Sequence, residues 1–194
     1  GLHTFRKAGV IPYGIIHAPG PYCYRCPYAL TYPNCELHCV TDIEEIIRTS
    51  TSGTIAGMIV ETIQGLGGVV VPPPGYFKIV VNIVRNYGGL FISDEVQAGF
   101  GRTGKKWFGI EHWEVEPDFI TCAKGMANGV PIGCTITRPE IADAYKGLTI
   151  STFGGNPVTC VAAKATIDLI EEERLMDNAH EMGARFRQGL DALK

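Results

Sequence analysis

The sequence predicts an α/β fold with a mainly parallel sheet flanked by helices, and three observations carry that prediction. Leu90-Phe91-Ile92 and Phe119-Ile120-Thr121-Cys122 are short runs without strict alternation, as strands covered on both faces read. Between such runs lie stretches with apolar residues at helical spacing, as at Phe77, Ile79, Val80, Ile83 and Val84. Glycine supplies 24 of 194 residues, about 12 % against a usual ~7 %, which suits many tight strand-to-helix turns.

Taken in order, residues 1–12 read as a helix remnant or loop and 14–19 as a short strand. A proline- and cysteine-rich loop occupies 20–40. Thr41-Asp42-Ile43-Glu44 has the form of a capping box, opening a helix whose apolar face is Ile43, Ile46 and Ile47. Residues 55–61 form the next buried strand, with Glu61 at its carboxyl end, and 65–74 a glycine- and proline-rich loop. The helix carrying Phe77 to Val84 stops at Gly88-Gly89. The strand ending at Asp94, a loop holding Trp107 and Trp113, and the strand before Lys124 come next. Residues 132–137 make a further strand, and Pro139 opens a short helix with Ile141 and Ala144. Asn156-Pro157 is a cap followed by proline at the first helical position, starting a helix through Ile170. A last amphipathic helix carries Leu175, Met182, Phe186 and Leu190.

The length allows one domain. A formal net charge of −3 gives no electrostatic reason to expect nucleic acid or an anionic membrane as partner. No apolar run approaches the ~20 residues of a membrane span. The first residues have no signal-peptide pattern. The chain starts without methionine and stops within a helical pattern, so a piece of a longer protein is expected, with its targeting not visible.

The chemistry concentrates where strands end. Open α/β sheets place ligands at the carboxyl ends of their strands, and there the sequence sets Asp94 after one apolar run and Lys124 after the next. Lys124 has mostly apolar sequence neighbours, and a fold that enclosed it would favour the neutral, nucleophilic amine. Ile92-Ser93-Asp94-Glu95-Val96-Gln97-Ala98-Gly99-Phe100-Gly101-Arg102-Thr103-Gly104, then Pro117-Asp118, then Ala123-Lys124-Gly125 resembles the signature of class III aminotransferases. Ser151-Thr152-Phe153-Gly154-Gly155-Asn156-Pro157 and Glu61-Thr62-Ile63-Gln64-Gly65 resemble two further motifs of that family, in the family's order.

The resemblance implies an enzyme dependent on pyridoxal 5'-phosphate, of fold type I, working as a homodimer. It implies that residues 1–156 belong to the large cofactor-binding domain and 157–194 lead towards a small domain. Lys124 would bond the cofactor aldehyde as a Schiff base and carry a proton, and Asp94 would pair with the ring nitrogen. Val96 would pack on the ring, Gln97 would lie near the ring hydroxyl, and Thr152 would reach the cofactor phosphate of the neighbouring subunit. Glu61 matches an acid that selects between amino donors. Where the family often has proline and threonine, this chain has Thr62 and Ala98. The implied reaction moves an amino group from an amino acid or ω-amino acid to a 2-oxo acid such as pyruvate or glyoxylate, in cytoplasm or mitochondrial matrix. The look is closest to the alanine–glyoxylate and 3-aminoisobutyrate–pyruvate branch; the acetylornithine, ornithine and 4-aminobutyrate branches stay open.

Two other readings belong to different classes. Cys23, Cys26, Cys35 and Cys39 have metal-ligand spacing, which fits a zinc-binding module, a structural metal, disulfides or unligated thiols. Cys122, Cys134 and Cys160 stand alone in apolar surroundings and read as buried thiols. Gly99-Phe100-Gly101-Arg102-Thr103-Gly104 satisfies the dinucleotide pattern, but no amphipathic helix opens after it.

Overall fold

The computed structural model of the chain describes residues 13–193, so the expectation for residues 1–12 lies outside the described residues. Four strands form one sheet in chain order: β1 (Gly57–Glu61), β2 (Leu90–Asp94), β3 (Phe119–Cys122) and β4 (Cys134–Thr137). The first three run parallel and β4 returns antiparallel. A short connection explains the reversal. The turn at 124–133 is too brief for the crossover that a parallel neighbour needs.

Helices α1 (His38–Ser50) and α2 (Tyr76–Asn86) meet one face of the sheet. Val40, Ile43 and Ile47 pack with Phe77, Val80 and Val84 over Phe91 of β2. Phe77 is fully buried and sits edge-on to Trp113, with ring centroids 5.0 Å apart, and to Phe91 at 6.0 Å. Burial of a side chain of this size contributes about 1.5–3 kcal/mol. Ile79, expected on that face, is exposed. The α1 helix begins at His38, three residues before the expected capping box. The turn at 32–37 feeds straight into it through Leu37 in the left-handed region, and Tyr28 Oη donates to Asp42 Oδ2 at 2.6 Å. Residues 15–20 contain no strand, because no sheet edge pairs with them.

Three further helices follow: α3 (Pro139–Ala142), α4 (Pro157–Glu172) and α5 (Leu175–Asp191). The cap of α4 is as the sequence reads: Asn156 Oδ1 accepts from Thr159 N at 3.1 Å, with Pro157 next. Ala163 of α4 joins Cys122, Met126 and Ala127 in a second core. On α5, Leu175, Met182, Phe186 and Leu190 all remain exposed within this chain.

At the amino ends of β2 and β3 a buried acid ties the sheet together. Asp118 Oδ2 accepts from Phe91 N at 2.8 Å, and Oδ1 faces Arg138 at 2.9 Å and Arg85 at 3.4 Å. Removing the carboxylate strands a buried backbone N–H and two cations. Asp118→Ala should therefore destabilise the complete protein by about 3 kcal/mol, the usual cost of breaking a buried charged network. Chemical denaturation measures this, and a loss under about 0.5 kcal/mol, typical of a surface site, would contradict it.

Candidate active site

The register of the parallel strands lines up the acids. Glu61 of β1 stands opposite Asp94 of β2, and Asp94 opposite Thr121 of β3. Paired residues share a face, so these three occupy one face of the sheet at its carboxyl edge. Their neighbours alternate to the other side. Phe91 and Ser93 are buried there, whereas Ile59 on the Asp94 face is 61 % exposed.

Asp94 is half-buried, and its Oδ1 accepts from Val96 N at 3.1 Å. Oδ2 takes no bond among the described residues. The ladder continues one step further, since Glu95 N donates to the Thr121 carbonyl at 2.9 Å. Glu61 is also half-buried, and its Oε2 accepts from Gly65 N at 2.8 Å, folding the next loop back over the strand end. Gly65 lies close under the Gln97 amide: a Cβ there would come 2.5 Å from Gln97 Nε2, so a larger residue would require the Gln97 side chain to move. The Glu61 loop and the Gln97 loop thus touch.

Lys124 opens a 3-10 turn, Lys124–Ala127, two residues beyond β3. Its φ of +46° lies in the left-handed region, where a side chain is strained by roughly 1–2 kcal/mol. The turn is held from below by buried Met126 and Ala127 and by α4, while Lys124 itself is exposed. No acid pairs with Lys124 among the described residues. The enclosure expected of it is not supplied by this chain. Cys122, just before, has its thiol pushed up to about 12, first by burial and then by Cys134, Glu95 and Asp94. Its exposure to both carboxylates' fields reflects how closely the β2 and β3 ends converge.

Comparison with known proteins bears on this arrangement directly. The family model described as aminotransferase class-III matches residues 6–194. The chain belongs to the class-III aminotransferases. It is 41 % identical over 189 residues to an alanine–glyoxylate aminotransferase 2 homologue of Arabidopsis thaliana, covering 97 % of this chain and 39 % of that protein. It is 42 % identical over 184 residues to a leucine/methionine racemase of Thermococcus litoralis, covering 92 % and 40 %. In structure it matches an (S)-enantioselective ω-transaminase of Thermomicrobium roseum with a TM-score of 0.89 and 40 % identity, covering 98 % of this chain and 44 % of that one. The chain spans about two-fifths of the length of these relatives.

Class-III aminotransferases depend on pyridoxal phosphate, and the donor set fits that cofactor. An unpaired primary amine suits an aldehyde, and a carboxylate with one oxygen free suits a ring N–H. As a class-III aminotransferase segment, the chain brings Glu61, Asp94, Val96, Gln97 and Lys124 to one edge of the sheet. It does not bring Thr152 there through any bond. Thr152 lies exposed in the loop between α3 and α4, which is fixed at its far end by Asn156.

Several other expectations are corrected. Cys23, Cys26, Cys35 and Cys39 line one small pocket with Tyr22 and Tyr28, and all four thiols are free. Burial and the neighbouring thiols raise Cys23 and Cys39 above the ordinary range. Among the described residues no group of three or more His, Cys, Asp or Glu side chains is arranged to hold a metal ion, so the zinc-module reading lacks its geometry. Cys134 and Cys160 are exposed; only Cys122 of the isolated three is buried. The stretch 96–108 holds turns and bends without a helix, so the dinucleotide reading lacks its phosphate-binding helix end.

One functional neighbour escaped the sequence reading. Glu95 is 1 % exposed, and its carboxylate accepts from Ser93 Oγ at 2.9 Å and from Gly109 N and Ile110 N at 2.8 Å each. The signal was available: period-two alternation puts Glu95 under the sheet if Asp94 lies above it.

Proposed function

We propose that the complete protein is a transaminase that moves an amino group from an amino acid or ω-amino acid to a 2-oxo acid such as pyruvate or glyoxylate. The observation that supports it best is the strand register, which sets Glu61, Asp94 and Thr121 in a row with Lys124 three residues past Thr121. Pyridoxal phosphate, when bound, supplies the electron sink that makes the hydrogen on the substrate's amino-bearing carbon acidic. Lys124 Nζ would hold the cofactor through its aldehyde and would be the group that carries the substrate proton. Asp94 Oδ2 holds the proton on the ring nitrogen, while its Oδ1 stays tied to Val96 N. Val96 packs on the ring and Gln97 lies beside the ring hydroxyl. Glu61 meets the donor side chain.

In this reading Thr152, exposed in the loop between α3 and α4, serves the neighbouring subunit's phosphate in a homodimer. Residues 1–156 form part of the cofactor-binding domain and 157–194 lead to a second, smaller one. Two relatives are named as mitochondrial, and we assign the protein to the mitochondrial matrix or the cytoplasm. Among the described residues no helix is long and apolar enough to cross a membrane.

The test is a panel of amino donors offered to the cofactor-loaded complete protein with pyruvate or glyoxylate. Alanine or glycine should form in step with loss of the donor. The racemase relative motivates a parallel assay of optical rotation. Racemisation without consumption of the oxo acid, or no amino transfer to any acceptor, would overturn the transaminase reading.

A further inference from the structure

We infer that Thr62 and Glu95 are a positioning pair beneath the site, with the Thr62 hydroxyl donating to the Glu95 carboxylate and so locking Glu61 and Asp94 together. This rests on the proposed roles of Asp94 and Glu61. Thr62 follows Glu61 and Glu95 follows Asp94, and Glu61 and Asp94 are opposite one another in the parallel ladder. Each acid on the open face therefore has its successor on the buried side. Thr62 is 0 % exposed and Glu95 1 %.

Both border one glycine. A Cβ on Gly109 would lie 2.5 Å from Thr62 Oγ1 and 3.2 Å from Glu95 Oε2, so the two oxygens crowd the space beside the Gly109 Cα. The hydrogen bonds of Glu95 leave one position to fill. Oε1 accepts from Ser93 Oγ and Ile110 N, whereas among the described residues Oε2 accepts from Gly109 N alone. Thr62 Oγ1 is the complementary group, a buried hydroxyl without a hydrogen-bond partner among the described residues. A buried donor left unmade is costly, and a carboxylate oxygen beside it is the strongest acceptor on offer. Glu95 also holds its own strand end, its N–H bonded to the Thr121 carbonyl and its carbonyl to Gly99 N. The pair thus links the ends of β1, β2 and β3 and the 109–113 turn.

The experiment compares Thr62→Val, Thr62→Ser and Asp94→Asn in the cofactor-loaded complete protein. Valine keeps the shape of threonine and removes the hydroxyl. If the hydroxyl were idle, its removal would leave stability unchanged or raise it. If it donates to Glu95, Thr62→Val should lower both the melting temperature and kcat, the latter about tenfold by the loss of a charge-assisted bond. KM should hold within about twofold for a donor whose side chain is too short to meet Glu61, because for that donor the change acts only through the placement of Asp94. Thr62→Ser should recover most of kcat. A Thr62→Val enzyme with wild-type or higher kcat and melting temperature would overturn the inference, and so would a fall in stability that leaves kcat untouched. Asp94→Asn separates the layers. If it is crippled while Thr62→Val is not, only this inference fails. If Asp94→Asn itself works normally, the reading of Asp94 fails and this inference with it.

Discussion

Lys124→Ala should abolish turnover, lowering kcat by about 10⁴-fold, the upper range for loss of a positioned proton-transfer group. Lys124 is placed by a turn whose underside, Met126 and Ala127, is locked into the second core, and the turn follows β3 directly. Borohydride reduction of the wild-type holoprotein should fix the cofactor to Lys124 in a peptide map. Attachment to a different lysine would refute the assignment. The backbone offers an independent check. At φ +46° a glycine is unstrained where alanine is not, so Lys124→Gly should be more stable than Lys124→Ala by about 1 kcal/mol, with both inactive. Equal stability would mean that the turn carries no strain.

That strain was invisible in the sequence, where Ala-Lys-Gly suggests flexibility at the glycine. Gly125 is not among the positive-φ residues; the lysine is. The strands, by contrast, were legible because burial leaves a compositional trace: β2 ends at Asp94 and β3 at Cys122, as the apolar runs predict. The direction of β4 was not legible, since the same four residues pair equally well either way and only the short connection decides. The α1 start was misplaced for a related reason. Thr41 and Glu44 have the capping residue types, but a tertiary bond to Asp42 and a left-handed Leu37 draw the helix back by a turn's length. Residue spacing also overstated the cysteine loop. Its four thiols do line one pocket, yet spacing along the chain fixes neither the distances nor the directions a metal requires.

The open faces have a different lesson. Lys124 and Thr152 are both exposed, as are the apolar residues of α5. A site at the carboxyl edge of a sheet is normally roofed by loops and neighbouring elements. Among the described residues the strand ends hold their acids through backbone bonds, whereas nothing covers Lys124. Substitutions at the strand ends therefore report on chemistry, which makes Asp94 the informative position.

Asp94→Asn in the complete protein should retain cofactor and lose turnover by about 10²- to 10³-fold, the typical cost of removing one preorganised charge from a developing ionic centre. Asparagine is the right replacement because it keeps the shape and the acceptor that Val96 N uses at 3.1 Å, so the turn after β2 need not move. What it removes is the negative charge at the free oxygen. Cofactor retention follows because Lys124, on a different strand end, is untouched. Its effect should also exceed that of Glu61→Gln, since Glu61 already spends Oε2 on Gly65 N and its proposed partner is the donor rather than the ring. Visible absorbance of the bound cofactor tests the first half and steady-state kinetics the second. An Asp94→Asn enzyme with full absorbance and near wild-type kcat would show that the carboxylate on this strand end merely caps a turn.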